Sequence, residues 1–166
     1  TVLNEGEFWR CCRFIDDSVC FEQTENLEVI EEAGKAFGEF QLYLADYPVK
    51  DLCIVIPHFH NTVLRYGAFR EAIEENAAGR KAEVQKTIEG YLALEEIATR
   101  LYKLQKQGVL PLRVTHNDTK LNNILFDEAS FEPVCAIDLD TIMPGYSVND
   151  FGDAIRFAAN REVEDS

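Results

Sequence analysis

The sequence predicts an α+β fold dominated by helix: a strand pair, a run of helices, then a small β insert. Three observations carry this reading. Apolar residues recur at helical spacing over residues 26–45 and 81–107. Short β-prone runs bounded by turn formers lie near the start and after Gly108. The length, 166 residues with 46% hydrophobic and 28% charged, suits one domain with a sizeable core.

The elements follow in chain order. Residues 8–15 mix aromatic, Cys and Ile side chains and read as a strand, with Phe8 and Trp9 packed within it. Asp16, Asp17 and Ser18 interrupt it, and residues 19–21 resume extended structure. A helix is predicted over 26–45, where Leu27, Ile30, Phe37 and Leu44 share a face and Pro48 follows the end. Residues 52–57 look like a short buried run leading into a loop with His58 and His60, read as hydrogen-bonded loop residues or as substrate contacts. A helix over 63–75 and a turn over 76–79 come next. One long helix is then predicted over 81–107, with Val84, Ile88, Tyr91, Ala98 and Leu101 inward and Gly108 at its C′ position. Beyond Gly108 the texture changes to strands at 113–115, 123–126 and 134–137. Residues 127–133 join the last two as a hairpin, and a helix over 150–160 closes the pattern.

Sixteen basic and thirty acidic residues give a net charge of −14, which repels phosphate backbones and argues against nucleic-acid partners. Glu25, Glu28, Glu31 and Glu32, and Glu71, Glu74 and Glu75, fall on predicted helix faces and read as solvated surface. An acidic groove for a cationic substrate is the sharper alternative. The apolar runs are too short to span a bilayer, so no membrane partner is expected. Five cysteines are an odd number with no C-x-x-C pair, and His58 and His60 have no cysteine at finger-like spacing. Zinc is not expected, and reduced thiols in a cytoplasmic protein are the simplest account. Oligomeric state is not encoded in these features.

The chemistry concentrates between residues 113 and 145. His116 stands two residues before Asp118, Asn123 five residues after it, and Asp138 fifteen residues further on. This order is that of a phosphoryl-transfer site, in which the protein positions groups and supplies charge rather than covalent chemistry. Asp118, in a tight loop, is placed to orient or deprotonate an alcohol. Asn123, opening the next strand, offers an amide oxygen to a hard cation, and Asp138, ending the second hairpin strand, offers a carboxylate. Lys120 brings an ammonium towards the transferred phosphate. Asp140 is placed on the same strand as Asp138, as metal-site support or as a structural residue.

These segments carry a resemblance. His116-Asn-Asp-Thr-Lys-Leu-Asn-Asn-Ile-Leu-Phe126, Ile137-Asp-Leu-Asp-Thr-Ile-Met-Pro-Gly145 and Asn149-Asp-Phe-Gly-Asp-Ala-Ile-Arg-Phe-Ala-Ala-Asn160 resemble the aminoglycoside phosphotransferase and choline kinase superfamily. Within it they are most similar to bacterial N-acetylhexosamine 1-kinases, which phosphorylate the anomeric hydroxyl of an N-acetylated hexosamine with ATP and magnesium. The resemblance implies a protein-kinase-like C-terminal lobe over 25–166 and the hinge strands of an N-terminal lobe over 1–24. It implies Asp118 as base and Asn123 with Asp138 as magnesium ligands. Backbone near Phe14, Ile15 and Asp16 then lies beside adenine, His116 orients the catalytic loop, and Asp150 and Asp153 brace it. Residues 143–145 become a substrate-side wall.

The chain departs from that pattern in three ways. The helices that follow the last motif in the family are expected to be missing, so that the C-terminal lobe over 25–166 is truncated at its C-terminus. No G-x-G-x-x-G occurs, and the first lysine is Lys35, where a phosphate-anchoring lysine is expected before the hinge. The sequence is therefore expected to be a fragment that is inactive by itself. Competing readings are an aminoglycoside, choline or homoserine kinase, and a noncatalytic kinase-like binding module.

Overall fold

In the computed structural model, residues 2–160 are described. The architecture is α+β, with small sheets whose strands all pair antiparallel. The described residues divide into two units, one from residues 2–43, 118–139 and 153–160, the other from 44–117 and 140–152. The expected C-terminal lobe runs past residue 160 and there lies outside the described residues.

The first unit opens with a hairpin of β1 (Val2–Asn4) and β2 (Glu7–Trp9). Its turn residues Glu5 and Gly6 both have positive φ, 53° and 84°, which suits a tight two-residue connection. Strand β3 (Ser18–Val19) pairs with β5 (Ile124–Asp127), which pairs in turn with β6 (Pro133–Ala136). Helix α1 (Leu27–Tyr43) starts at Asn26, whose side-chain oxygen accepts from Glu28 N at 3.0 Å. It buries Val29, Ala33 and Phe37, spaced four apart, against Leu121, Ile124 and Phe126. Ile124 and Phe126 have no exposed surface. Burying each such side chain contributes about 1.5–3 kcal/mol, which anchors the strand that follows the Asp118 loop.

The second unit contains α2 (Thr62–Glu75), α3 (Gln85–Ala93), α4 (Glu95–Lys106) and the two-stranded sheet of β4 (Arg113–Thr115) with β7 (Met143–Gly145). Asn61 caps α2 by accepting from Leu64 N at 3.1 Å, and Asn76 ends it in the left-handed region. Gly108, at φ 70°, closes α4: its N–H bonds to Gln105 O while Val109 N–H reaches Leu104 O. Helix α5 (Ser147–Ala159) carries Asp150 in its first turn.

Several expectations are corrected. The strand expected over 8–15 ends at Trp9, because the turn at Glu5 and Gly6 makes a short ribbon instead. No described sheet layer covers that ribbon, and Phe8 and Trp9 are exposed rather than packed. Residues 52–57 are not buried; Ile54, Val55 and Ile56 are exposed in a segment of bends and turns without strand partners. The long helix over 81–107 is two helices, since residues 81–84 form a turn and Leu94 takes φ −89°, ψ −5°. Leu94 N–H bonds to Tyr91 O, a tighter i→i−3 link at the junction of the two helices. No proline marks that junction, so periodicity reads through it. Consequently Ile88 is buried while Val84, Tyr91 and Leu101 are exposed. Leu27 is exposed too, because the buried face of α1 runs through Val29 instead.

Candidate active site

The loop between β4 and β5 is positioned by two carboxylates of α5. Asp150, only 5% exposed, accepts from the backbone N–H of His116 and of Asn117, both at 2.9 Å. Asp153 accepts from Thr119 N at 2.9 Å and from its hydroxyl at 3.3 Å. Arg156 in turn holds Asp153 Oδ1 at 2.9 Å. Two residues three apart on one helix therefore satisfy backbone groups on either side of Asp118. His116 has no exposed surface; its carbonyl accepts from Thr141 Oγ1 at 2.7 Å. A ring so enclosed has no access to a diffusing substrate.

Asn117 adopts φ 68°, a left-handed conformation that asparagine tolerates better than most residues. Its side-chain amide is buried and bonded on both sides. Nδ2 donates to Thr115 O at 3.1 Å and Thr141 O at 2.9 Å. Oδ1 accepts from Thr115 Oγ1 at 3.1 Å and lies 3.2 Å from His60 Nε2. In the sequence Asn117 stands out only within the segment that carries the resemblance; the local signal for its role is an asparagine at a loop position that takes positive φ. Thr115 and Thr141, which complete this network, carried no signal of their own.

The structure brings Asp118 and Asn123 into direct contact. Asn123 Nδ2 donates to Asp118 Oδ2 at 2.9 Å and to Asp118 O at 2.8 Å. One amide thus fixes both the carboxylate and the peptide of Asp118. The short 3₁₀ turn Leu121–Asn123 makes this five-residue reach possible. Lys120 Nζ lies 3.5 Å from Asp118 Oδ1, and both side chains are about a quarter exposed. The carboxylate is therefore held, charge-paired and reachable.

Contrary to expectation, Asp138 does not end a strand and Asp140 does not share one with it. Strand β6 stops at Ala136, Asp138 is exposed at φ 56°, and Asp140 is exposed within the 3₁₀ turn Leu139–Thr141. The left-handed backbone at Asp138 ends the ladder and redirects the chain. Ile137 N nevertheless donates to Asn123 O at 2.9 Å, next to the Ile124–Ala136 pairing. That bond sets the residue before Asp138 against Asn123.

The donor chemistry suits a magnesium ion. With Nδ2 committed to Asp118, Asn123 retains its amide oxygen, and Asp138 adds an exposed carboxylate. Among the described residues no group of three His, Cys, Asp or Glu forms a cage. Magnesium needs none, since it keeps waters and binds through one or two carboxylates plus phosphate oxygens.

Phe14 and Asp16 are exposed, and the Ile15 carbonyl accepts from Ser18 Oγ at 2.8 Å. Within the second unit, a cleft of about 170 Å³ is lined by Ile56, His58, His60, Asn117, Met143 and Tyr146, among others. Gly145 also borders it, and a Cβ there would collide with Thr115 Oγ1. No helix among the described residues is long and apolar enough to cross a membrane. A sequence model of the phosphotransferase enzyme family matches residues 3–165, almost the whole chain.

Proposed function

This chain belongs to the phosphotransferase enzyme family, and we propose that it transfers the γ-phosphoryl group of ATP to the anomeric hydroxyl of an N-acetylated hexosamine. The observation that carries the reading is the Asn123 amide locked onto both the carboxylate and the carbonyl of Asp118. Such a held carboxylate orients an acceptor hydroxyl and takes its proton as the oxygen–phosphorus bond forms and ADP leaves. Lys120 brings positive charge to the same carboxylate edge and so to the transferred group. Asn123 Oδ1 and Asp138 would hold magnesium, which when bound neutralises phosphate charge. Asp150 and Asp153 keep the loop in one conformation, so little reorganisation is left for the reaction.

Phe14, Ile15 and Asp16 serve as the hinge beside adenine, within a protein-kinase-like arrangement. Residues 143–145 serve as a substrate-side wall. The cysteine pattern of the sequence, an odd number with no C-x-x-C pair, is the basis for placing it in a reducing, cytoplasmic setting. The second reading, an aminoglycoside, choline or homoserine kinase, uses the same loop, and only the acceptor side tells them apart.

The test is a panel of acceptor alcohols on the intact protein, with ATP consumption and product phosphate position as readouts, with and without magnesium. The expected result is magnesium-dependent turnover of N-acetylglucosamine or N-acetylgalactosamine to the 1-phosphate. Turnover of another alcohol without any hexosamine would overturn the acceptor assignment. Absence of magnesium-ATP binding would leave only a noncatalytic module.

A further inference from the structure

We propose that His60 is a positioning residue for Asp118, acting through the side-chain amide of Asn117. Asn117 Nδ2 faces two backbone carbonyls, Thr115 O and Thr141 O, which can only accept. That fixes the amide orientation and turns Oδ1 towards His60 Nε2 and the Thr115 hydroxyl. Because Oδ1 cannot donate, the nitrogen of His60 at 3.2 Å must carry the proton. The tautomer of His60 thus follows from carbonyls it does not itself touch.

Thr115 makes this donor matter. Its Oγ1 has one proton and two acceptors in reach, Asn117 Oδ1 at 3.1 Å and Met143 O at 3.0 Å. When Thr115 bonds Met143 and ties β4 to β7, His60 supplies the hydrogen bond to the buried Asn117 oxygen. A satisfied amide holds Asn117 at φ 68°, and this left-handed residue sets the direction in which the chain enters Asp118. His60 itself is half-buried beside the Phe59 ring, with centroids 4.6 Å apart. It reaches the loop from 57 residues away in sequence.

The proposal rests on Asp118 being the group that orients the acceptor hydroxyl, and its test separates the two ideas. In His60→Phe the ring is kept and the donor is lost; in His60→Gln an amide donor is restored at similar reach. Hydrogen exchange of the peptide spanning residues 114–120 reads the loop without any substrate. His60→Phe is expected to speed exchange there about tenfold and to lower kcat about 10- to 100-fold, with KM for acceptor and ATP within about twofold. His60→Gln is expected to recover most of both. Unchanged exchange in His60→Phe overturns the proposal. A raised acceptor KM with unchanged kcat also overturns it and makes His60 a substrate contact, as does a loss that His60→Gln fails to rescue. If the intact wild-type protein shows no phosphotransfer, the exchange pattern still decides the role of His60 while the catalytic reading of Asp118 falls.

Discussion

Replacing Asp150 with alanine should loosen the loop that leads to Asp118 more than any exposed substitution. The carboxylate accepts two backbone N–H bonds at 2.9 Å and is 5% exposed. Hydrogen bonds to a charged group contribute roughly 1.5–3 kcal/mol each, and a buried amide left unpaired costs about 1–3 kcal/mol. Removing Asp150 also removes the cost of burying its charge, which offsets part of the sum. A net loss of about 3–4 kcal/mol follows, a large share of the ~5–15 kcal/mol that holds a typical domain together. Asp150→Asn keeps the size and one accepting oxygen but points an N–H₂ group at the other donor, so it should lose about half as much. Urea denaturation at neutral pH, with the slope compared as well as the midpoint, measures both. Exchange of residues 114–120 should rise in the same order. A loss below about 1 kcal/mol for Asp150→Ala, or an asparagine variant equal to wild type, would refute the bracing argument.

Three further outcomes are expected. Asp118→Asn should lower phosphotransfer by roughly 100- to 10,000-fold with little change in the melting midpoint, read by initial rates and calorimetry. Gly145→Ala should destabilise by about 1–3 kcal/mol, because Thr115 is fully buried and hydrogen-bonded and its Oγ1 cannot yield to a Cβ. Loss under about 0.5 kcal/mol in denaturant melts contradicts it. Asp127 is held below the ordinary carboxylate range by the Ser130 backbone N–H, then by the Ser130 hydroxyl and the Ala129 N–H. A lowered folded-state value means stability present above the unfolded value and lost as pH falls through the folded one. The melting advantage of wild type over Asp127→Ala should therefore be present at neutral pH and narrow below about pH 4; a gap that widens in acid counts against it.

Legibility in the sequence tracked how local each determinant is. Strand β4 and helix α2 were readable within a residue, because alternation and capping residues are written in adjacent positions. The Gly108 terminus was readable for the same reason. The split at Leu94 was not, since good helix formers continue across it and no proline marks the junction. Strand β7 is not legible in the sequence, because Met143, Pro144 and Gly145 carry little strand propensity; pairing with β4 makes it a strand.

At the site, the chain by itself determined which groups are present: Asp118, Lys120 and Asn123 at fixed spacing, with Asp138 beyond a hairpin. Spacing is local: five residues separate Asp118 from Asn123, while the loop of the hairpin between Asn123 and Asp138 leaves the placement of Asp138 to the fold. Tertiary structure decided how those groups are held. Asp150 grips His116 and Asn117, Asp153 grips Thr119, and His60 meets Asn117 across 57 residues. Such partners come from distant segments chosen by burial, where each backbone N–H and amide must find a match. No local pattern of the sequence records that choice.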